Sequence, residues 1–166
     1  MLYIALGANL AGKGGETPRE TCETALAQLC ELTCIRFVAG SGWYRSKPFP
    51  RDDRQPDYCN GVAAFEGEPE PMALMVALHR IEDGLERVRS VPNAARTIDL
   101  DIIDLNGMVR DGGSPVLPHP RAHLRDFVLR PLLDITPGWR HPAFGTRGAV
   151  LLAALPREPG GAMVIW

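Results

Sequence analysis

Residues 96–104 read Arg-Thr-Ile-Asp-Leu-Asp-Ile-Ile-Asp, and apolar and acidic side chains alternate along the first part of this stretch. A period of two predicts a strand with one buried face, so Asp99 and Asp101 share the opposite face. Two strand positions lie about 7 Å apart, and carboxylates at that distance repel each other unless a positive group compensates. Paired carboxylates beside an arginine such as Arg96 are typical of a site that holds Mg²⁺ against phosphate oxygens. An ordinary solvated strand face would show the same pattern, and both interpretations stay open here.

The order of the predicted elements indicates the fold. Thr17–Glu20 form a capping box with Pro18 at the first helical position, which is a strong signal for the start of a helix. Periodicity predicts strands over residues 2–8, 33–44, 58–66 and 96–104, and helices that begin at Pro18 and after Pro71. This βαββαβ order is typical of an α+β, ferredoxin-like fold, in which an antiparallel sheet carries both helices on one face and leaves the other to loops and ligand. We expect further loops and one short helix, over 148–155, after this core, and a single domain over residues 1–166.

Composition narrows the classes of function. The chain has 166 residues, 45% of them hydrophobic, with a net charge of −2 and a pI of about 6.1. This balance argues against a nucleic-acid binder or an anionic-membrane binder. There is no apolar run of the roughly 18 residues that a membrane span needs and no basic leader, so we expect a cytoplasmic monomer that binds small molecules. The cysteines lack zinc-site spacing, and we expect buried free thiols at Cys22, Cys30, Cys34 and Cys59.

Residues 7–14 come close to the phosphate-binding P-loop, G-x-x-x-x-G-K-[ST]. The last position holds Gly14 where that motif needs a hydroxyl group for Mg²⁺, and the helix signals wait until Pro18. A flexible loop explains the segment better. A P-loop-like small-molecule kinase nevertheless remains the alternative function, and a non-enzymatic ferredoxin-like module, either regulatory or RNA-binding, is the third.

Positive charge is concentrated in one part of the chain. Arg80, Arg87, Arg89 and Arg96 lie on the second predicted helix, at its end, and in the loop before the aspartate strand. Guanidinium groups bind phosphate oxygens in bidentate fashion. Arg80 fits a solvated helix face, whereas the other three can point into the same cleft as the two aspartates.

Residues 96–101 match the R-x-x-D-[LIV]-D signature of the 6-hydroxymethyl-7,8-dihydropterin pyrophosphokinase family, and the chain resembles that family in four further segments in the same order. These segments are Ala5-Leu6-Gly7-Ala8-Asn9-Leu10, Trp43-Tyr44-Arg45-Ser46, Gln55-Pro56-Asp57-Tyr58-Cys59-Asn60, and Leu117-Pro118-His119-Pro120 followed by Phe127-Val128-Leu129. The resemblance runs from Leu2 to about Trp139. It implies a ferredoxin-like fold and the transfer of pyrophosphate from MgATP to the hydroxymethyl group of the pterin, with release of AMP, in folate biosynthesis.

The resemblance also implies roles for individual residues. Asp99 and Asp101 would hold two Mg²⁺ ions, and Arg87 and Arg96 would stabilise charge on the transferring group. Contacts with ATP are implied for Glu82, Arg89, Arg96, Ile102, His119 and Arg125. Contacts with the pterin are implied for Ser46, Lys47, Phe49, Tyr58, Asn60 and Phe127, because an aromatic face can stack on the bicyclic ring and an amide can bind its edge.

The chain departs from the family pattern at three places near these residues. Asn93-Ala94-Ala95 stands where many relatives have Trp-Gly-Pro, Glu86 stands where they commonly have glycine, and Pro120 replaces a tyrosine. We expect the first departure to change how a loop covers bound substrate. None of the three removes a predicted metal ligand.

Overall fold

The computed structural model describes residues 1–87, 94–156 and 163–166. Six strands and four α-helices follow one another in the described chain, with a short 3₁₀ turn before the third helix. Their bounds are β1 Leu2–Ala8, α1 Pro18–Cys30, β2 Arg36–Gly40, β3 Tyr44–Ser46, β4 Tyr58–Glu66, α2 Pro71–Gly84, β5 Asp99–Leu105, α3 Asp126–Ile135, α4 Gly148–Ala154 and β6 Val164–Ile165.

The strands form one antiparallel sheet in the order β5-β1-β4-β3-β6, and β2 also pairs with β4. The single strand predicted over residues 33–44 is therefore two strands, which pair with successive parts of β4: Gly40 lies opposite Ala63, and Tyr44 lies opposite Asn60. A strand β1 that lies between β4 and β5 is the central feature of a ferredoxin-like sheet, so the α+β fold predicted from the element order is confirmed.

Helices α1 and α2 cover one face of the sheet. The capping box is present, since the Thr17 side chain accepts from the Glu20 N–H and a Glu20 carboxylate oxygen accepts from the Thr17 N–H at 2.8 Å. The apolar stripes of both helices are buried together with residues of β1 and β4. This core contains Cys22, Ala25, Leu29, Leu74, Leu78 and Ile81.

The other face is not left wholly to loops and ligand, because α3 packs on it. Val128, Leu129 and Leu132 of this helix are buried against Tyr3 and Ile103 of the sheet. The sequence analysis missed α3 because Pro131 lies inside it, and a proline in a helix interior removes a hydrogen bond and usually ends the helix. The short helix expected over 148–155 is confirmed as α4.

The four cysteines do not share one environment. Cys22 and Cys59 are buried and free, as expected, and the Cys59 side chain together with burial raises the pKa of the Cys22 thiol well above its usual value. Cys30 and Cys34 are free but exposed, so the expectation of burial is wrong for them. Cys30 is the last residue of α1, and Cys34 lies in the loop that follows it. Among the described helices, none is long and apolar enough to cross a bilayer.

Candidate functional site

The register of three neighbouring strands brings the two halves of the predicted site together. Gly7 of β1 lies opposite Asn60 of β4 on one side and opposite Asp99 of β5 on the other. One step along the same face, Ala5 lies opposite Asp101. Because residues in register on one sheet face are close neighbours, the aspartates and the asparagine stand on either side of β1.

The structure shows why residue 7 has no side chain. A Cβ added at this position would lie 3.2 Å from Oδ1 of Asn60, which is tighter than an ordinary contact. The Asn60 amide is also held from the other side, because its Nδ2 donates to the Ser46 hydroxyl at 2.8 Å. The absence of a side chain at residue 7 therefore lets the oxygen of the Asn60 amide lie close to the backbone of Gly7.

Two arginines hold the Asp99 carboxylate. Nη1 of Arg96 donates to Oδ2 at 2.6 Å, and Nη1 of Arg87 lies 2.8 Å from Oδ1. Burial, together with the neighbouring charge of Asp101, raises the pKa of Asp99 against the opposing effect of the two arginines. The guanidinium groups thus compensate a carboxylate that burial alone would disfavour.

Asp101 lies near His119 and Arg125, at longer distances than those between Asp99 and its two arginines. Its Oδ2 lies 3.7 Å from Nε2 of His119 and 3.6 Å from Nη1 of Arg125. Burial lowers the pKa of both His119 and Arg125. The Nδ1 atom of His119 accepts the Arg121 N–H at 3.1 Å, so in the neutral ring the proton is on Nε2, which faces Asp101.

Glu82 contacts both Arg87 and the backbone of β5. Its carboxylate is 0% exposed, forms an ion pair with Arg87, and accepts the N–H of Leu100 at 2.8 Å. One buried carboxylate therefore connects the end of α2, the arginine that follows it and the strand that carries the aspartates.

Arg96 is also fixed through its backbone. The Arg96 N–H donates to Oδ1 of Asn9 at 2.8 Å, and the Arg96 carbonyl accepts the N–H groups of Asn9 and Leu10 at 3.1 Å. Asn9 is 1% exposed. The sequence analysis assigned no role to Asn9, because this contact depends on a pairing between segments 87 residues apart.

Glu86, which the resemblance marks as a departure from the family pattern, has an unusual backbone conformation. It adopts φ = 62°, a left-handed conformation that disfavours side chains with a Cβ. The resemblance implies glycine at this position, which directly precedes Arg87. The Glu86 carboxylate lies 2.9 Å from the exposed Nζ of Lys13.

A cavity of ≈ 450 Å³ opens between the sheet, the loop after β3 and the start of α3. All six predicted pterin residues line it, as do Arg87, Arg96, Asp99, Asp101, His119 and Arg125. The Phe49 and Phe127 rings in this lining lie 6.5 Å apart at an angle of 55°. Burial raises the pKa of Tyr58. Arg121 lines the cavity too, although the sequence analysis did not single it out.

In the described part of the chain, two of the predicted nucleotide residues, Glu82 and Ile102, are not among those that line the cavity. Glu82 lies behind Arg87, as described above. The Ile102 side chain is buried in the core under α1 and α2, since it points away from the face that carries Asp101, so only its backbone could contact a nucleotide. Arg89 lies outside the described residues.

The donor set at the cavity fits Mg²⁺ that is bound together with phosphate. In the described parts of the chain, no three His, Cys, Asp or Glu side chains are grouped as a metal site of the protein alone. Mg²⁺ in phosphoryl-transfer sites usually takes one or two carboxylates and completes its shell with water and substrate oxygens. Asp99 and Asp101, on one face of β5, are two carboxylates that could serve in this way.

Comparison with known proteins identifies relatives over most of the chain. Residues 3–137 match the family model described as 7,8-dihydro-6-hydroxymethylpterin-pyrophosphokinase (HPPK). Two proteins named 2-amino-4-hydroxy-6-hydroxymethyldihydropteridine pyrophosphokinase are each 40% identical to this chain. The one from Haemophilus influenzae matches over 80% of this chain and 79% of its own length, and the one from Pseudomonas aeruginosa over 95% and 93%.

A solved structure agrees with the fold. A crystal structure of a Plasmodium falciparum HPPK-DHPS triple mutant with SDX-DHP gives a TM-score of 0.67 at 12% identity. The likeness covers 92% of this chain, which spans 43% of that longer one. The fold, the signature residues around the cavity and the two bacterial relatives therefore agree, and this chain belongs to the 7,8-dihydro-6-hydroxymethylpterin pyrophosphokinase family.

Proposed function

We propose that the cavity binds ATP and 6-hydroxymethyl-7,8-dihydropterin side by side, and that the chain transfers pyrophosphate from ATP to the pterin in folate biosynthesis. Family membership supports an ATP-dependent pyrophosphokinase. The observation that carries the proposal is the register across β1, which puts Asn60 and Asp99 on either side of Gly7 within one cavity. The pterin hydroxymethyl group and the ATP phosphates would meet over Gly7.

The reaction needs positioning more than covalent help from the protein. The hydroxymethyl oxygen attacks the β-phosphorus of ATP, and the bond from that phosphorus to the oxygen it shares with the α-phosphate breaks. The hydroxyl proton passes to water, and AMP leaves with the shared oxygen. Phosphoryl-type transfer proceeds with in-line attack and charge spread over the equatorial oxygens, so orientation and electrostatic stabilisation supply most of the rate.

Asp99 and Asp101 would hold the metal. We propose two Mg²⁺ ions, which when bound would neutralise charge on the ATP phosphates. Arg96 and Arg87 already contact Asp99, and each guanidinium has further N–H groups with which to donate to a phosphate. Arg121 and Arg125 would extend this positive surface along the nucleotide, and His119 would contact the nucleotide as a neutral ring.

The pterin half would use aromatic faces and one amide. Phe49 and Phe127 form a tilted aromatic pair in the lining of the cavity, and the face of either ring could stack on a flat bicyclic ring. Asn60, fixed by Ser46, would bind the polar edge of that ring, and Tyr58 would close the side of the pocket towards Arg96. Specific hydrogen bonds in an apolar slot are what discriminates a pterin from other flat rings.

Product analysis tests the proposed reaction. The protein is incubated with MgATP and 6-hydroxymethyl-7,8-dihydropterin, and the nucleotide product is identified by chromatography. AMP supports pyrophosphoryl transfer, ADP indicates an ordinary kinase, and no pterin-dependent product contradicts both. Lys13 already weighs against the P-loop alternative, because it is 79% exposed, pairs with Glu86 and is not among the residues that line the cavity.

We further propose that the chain acts as a cytoplasmic monomer. Light scattering at micromolar concentration tests this, and a stable dimer would contradict it.

A further inference from the structure

The last strand of the described chain, β6, extends the sheet beyond β3. Val164 lies opposite Arg45, Ile165 lies opposite Tyr44, and the Trp166 N–H donates to the Trp43 carbonyl at 2.8 Å. These residues lie outside the stretch that the family model matches, which ends at residue 137.

Trp166 is the residue that anchors this strand. The guanidinium carbon of Arg45 lies 4.4 Å from the centre of the Trp166 ring, a cation–π contact. Arg19 of α1 donates to the Trp166 carbonyl at 3.4 Å, and the ring packs against the main core together with that of Trp43. Trp166 thus connects β3 to α1.

Strand β3 leads directly into the cavity. It is three residues long, and its last residue, Ser46, accepts the hydrogen bond from Asn60. Lys47 and Phe49, which follow it, line the pterin half of the cavity. So short a strand makes few hydrogen bonds of its own, and its position depends on the elements that pair with it on both edges.

We infer that Trp166 is a positioning residue for the pterin half of the cavity. By holding the outer edge of β3, it sets where Ser46 and the loop after it stand. The ATP half is carried by β5, which is separated from β3 by β1 and β4, so it does not depend on this contact. The inference rests on the proposed function, which assigns the two halves to their substrates.

Steady-state kinetics of Trp166→Ala and Trp166→Phe test the inference. For Trp166→Ala we expect KM for the pterin to rise about two- to fivefold, the factor that corresponds to an exposed cation–π contact. KM for ATP and kcat should stay at the parent values. Trp166→Phe keeps a ring under Arg45 and should restore most of the pterin KM. Ile165→Ala is the matched control, since that side chain is 76% exposed on the same strand.

Equal rises in both KM values, or an unchanged pterin KM, would overturn the inference. Hydrogen exchange of the amides of residues 44–49 provides a readout that does not require activity, and Trp166→Ala should accelerate it while Ile165→Ala should not. Should Trp166→Ala fail to fold, Arg45→Ala removes the same contact from the side of β3 and carries the same expectations. A parent protein that forms no AMP would contradict the proposed function, whereas unchanged exchange at residues 44–49 would contradict the role of Trp166.

Discussion

Gly7 faces the side-chain amide of Asn60 so closely that an added Cβ would lie 3.2 Å from Oδ1. The two residues are partners in the register of β1 and β4. Since the Asn60 amide is held at 2.8 Å by Ser46 on its other side, it has little room to move away. The size of residue 7 therefore controls the orientation of a group that we assign to pterin binding.

Gly7→Ala should weaken pterin binding without unfolding the protein. The backbone at Gly7 is extended strand, so alanine fits the conformation, but its methyl group must displace the Asn60 amide. We expect a loss of about 1–2 kcal/mol in pterin binding, the order of one disturbed hydrogen bond, measured by calorimetric titration. The matched control is Gly84→Ala at the end of α2, where an added Cβ meets open space. Pterin affinity equal to that of the parent in Gly7→Ala would contradict this account.

Asn60→Ala should weaken pterin binding more than nucleotide binding. Asn60 is buried, and its removal leaves the ring edge and the Ser46 hydroxyl without their partner. The expected cost in pterin affinity is about 1–3 kcal/mol, the range for a buried polar group that loses its hydrogen bond. Titration of each ligand separately is the test. An equal loss of affinity for ATP and for the pterin would count against a pterin-specific role.

The protein should be more stable with glycine than with alanine at position 86. Both substitutions remove the exposed ion pair with Lys13, but only glycine relieves the left-handed backbone at φ = 62°. We expect Glu86→Gly to exceed Glu86→Ala by about 1 kcal/mol in the free energy of unfolding, measured by denaturant titration. Ala73 is exposed in α2. Glycine should there lower the free energy of unfolding relative to alanine by about 1 kcal/mol, the cost of glycine in a helix. If glycine is more stabilising than alanine at both positions, or less stabilising at both, the argument is refuted.

His141 should make the fold sensitive to acid. Its ring is 2% exposed, stacks on Phe144 at 4.1 Å, and neither of its nitrogens has a hydrogen-bond partner among the described residues. Burial, and then the charge of His123, lowers the pKa of His141 below 6.5, against the opposing effect of Asp104. A depressed pKa means that the unfolded chain binds this proton more tightly. The stability contributed by neutral His141 is therefore present above pH 6.5 and is lost as the pH falls towards the folded-state pKa.

The measurement is the melting temperature of the parent and of His141→Phe at about pH 8 and at about pH 5.5. Phenylalanine keeps the stacked ring and cannot be protonated. We expect its advantage over the parent to be larger at the lower pH. An advantage that does not change with pH would show that His141 makes no acid-dependent contribution.

The local parts of the fold could be predicted from the sequence. The alternation from Ile98 to Ile102 correctly placed Asp99 and Asp101 on one face of a strand, and the capping box correctly marked the start of α1. Both signals act over a few residues and need no knowledge of the rest of the chain. The split between β2 and β3 was missed, because aromatic and β-branched residues continue on both sides of Gly42.

Contacts between distant segments could not be predicted in this way. Gly7 meets Asn60, and Asn9 meets Arg96, only because β1 pairs with β4 and lies beside the loop before β5. The alternation along residues 58–66 is typical of a strand with one buried face, yet β4 is buried along nearly its whole length. Its second face is covered by α3, the helix that was not predicted because Pro131 lies inside it.

Single-turnover rates of Asp99→Ala and Asp101→Ala at saturating MgATP test the central claim most directly. Neither side chain belongs to the main apolar core, so both variants should remain folded, which their melting temperatures will show. Loss of a metal ligand should lower the transfer rate by roughly two to four orders of magnitude, while pterin affinity in the absence of nucleotide should change little. A folded variant that keeps more than about a tenth of the parent rate, where the loss of an essential ligand costs at least about a hundredfold, would contradict the assignment of its aspartate as an essential metal ligand.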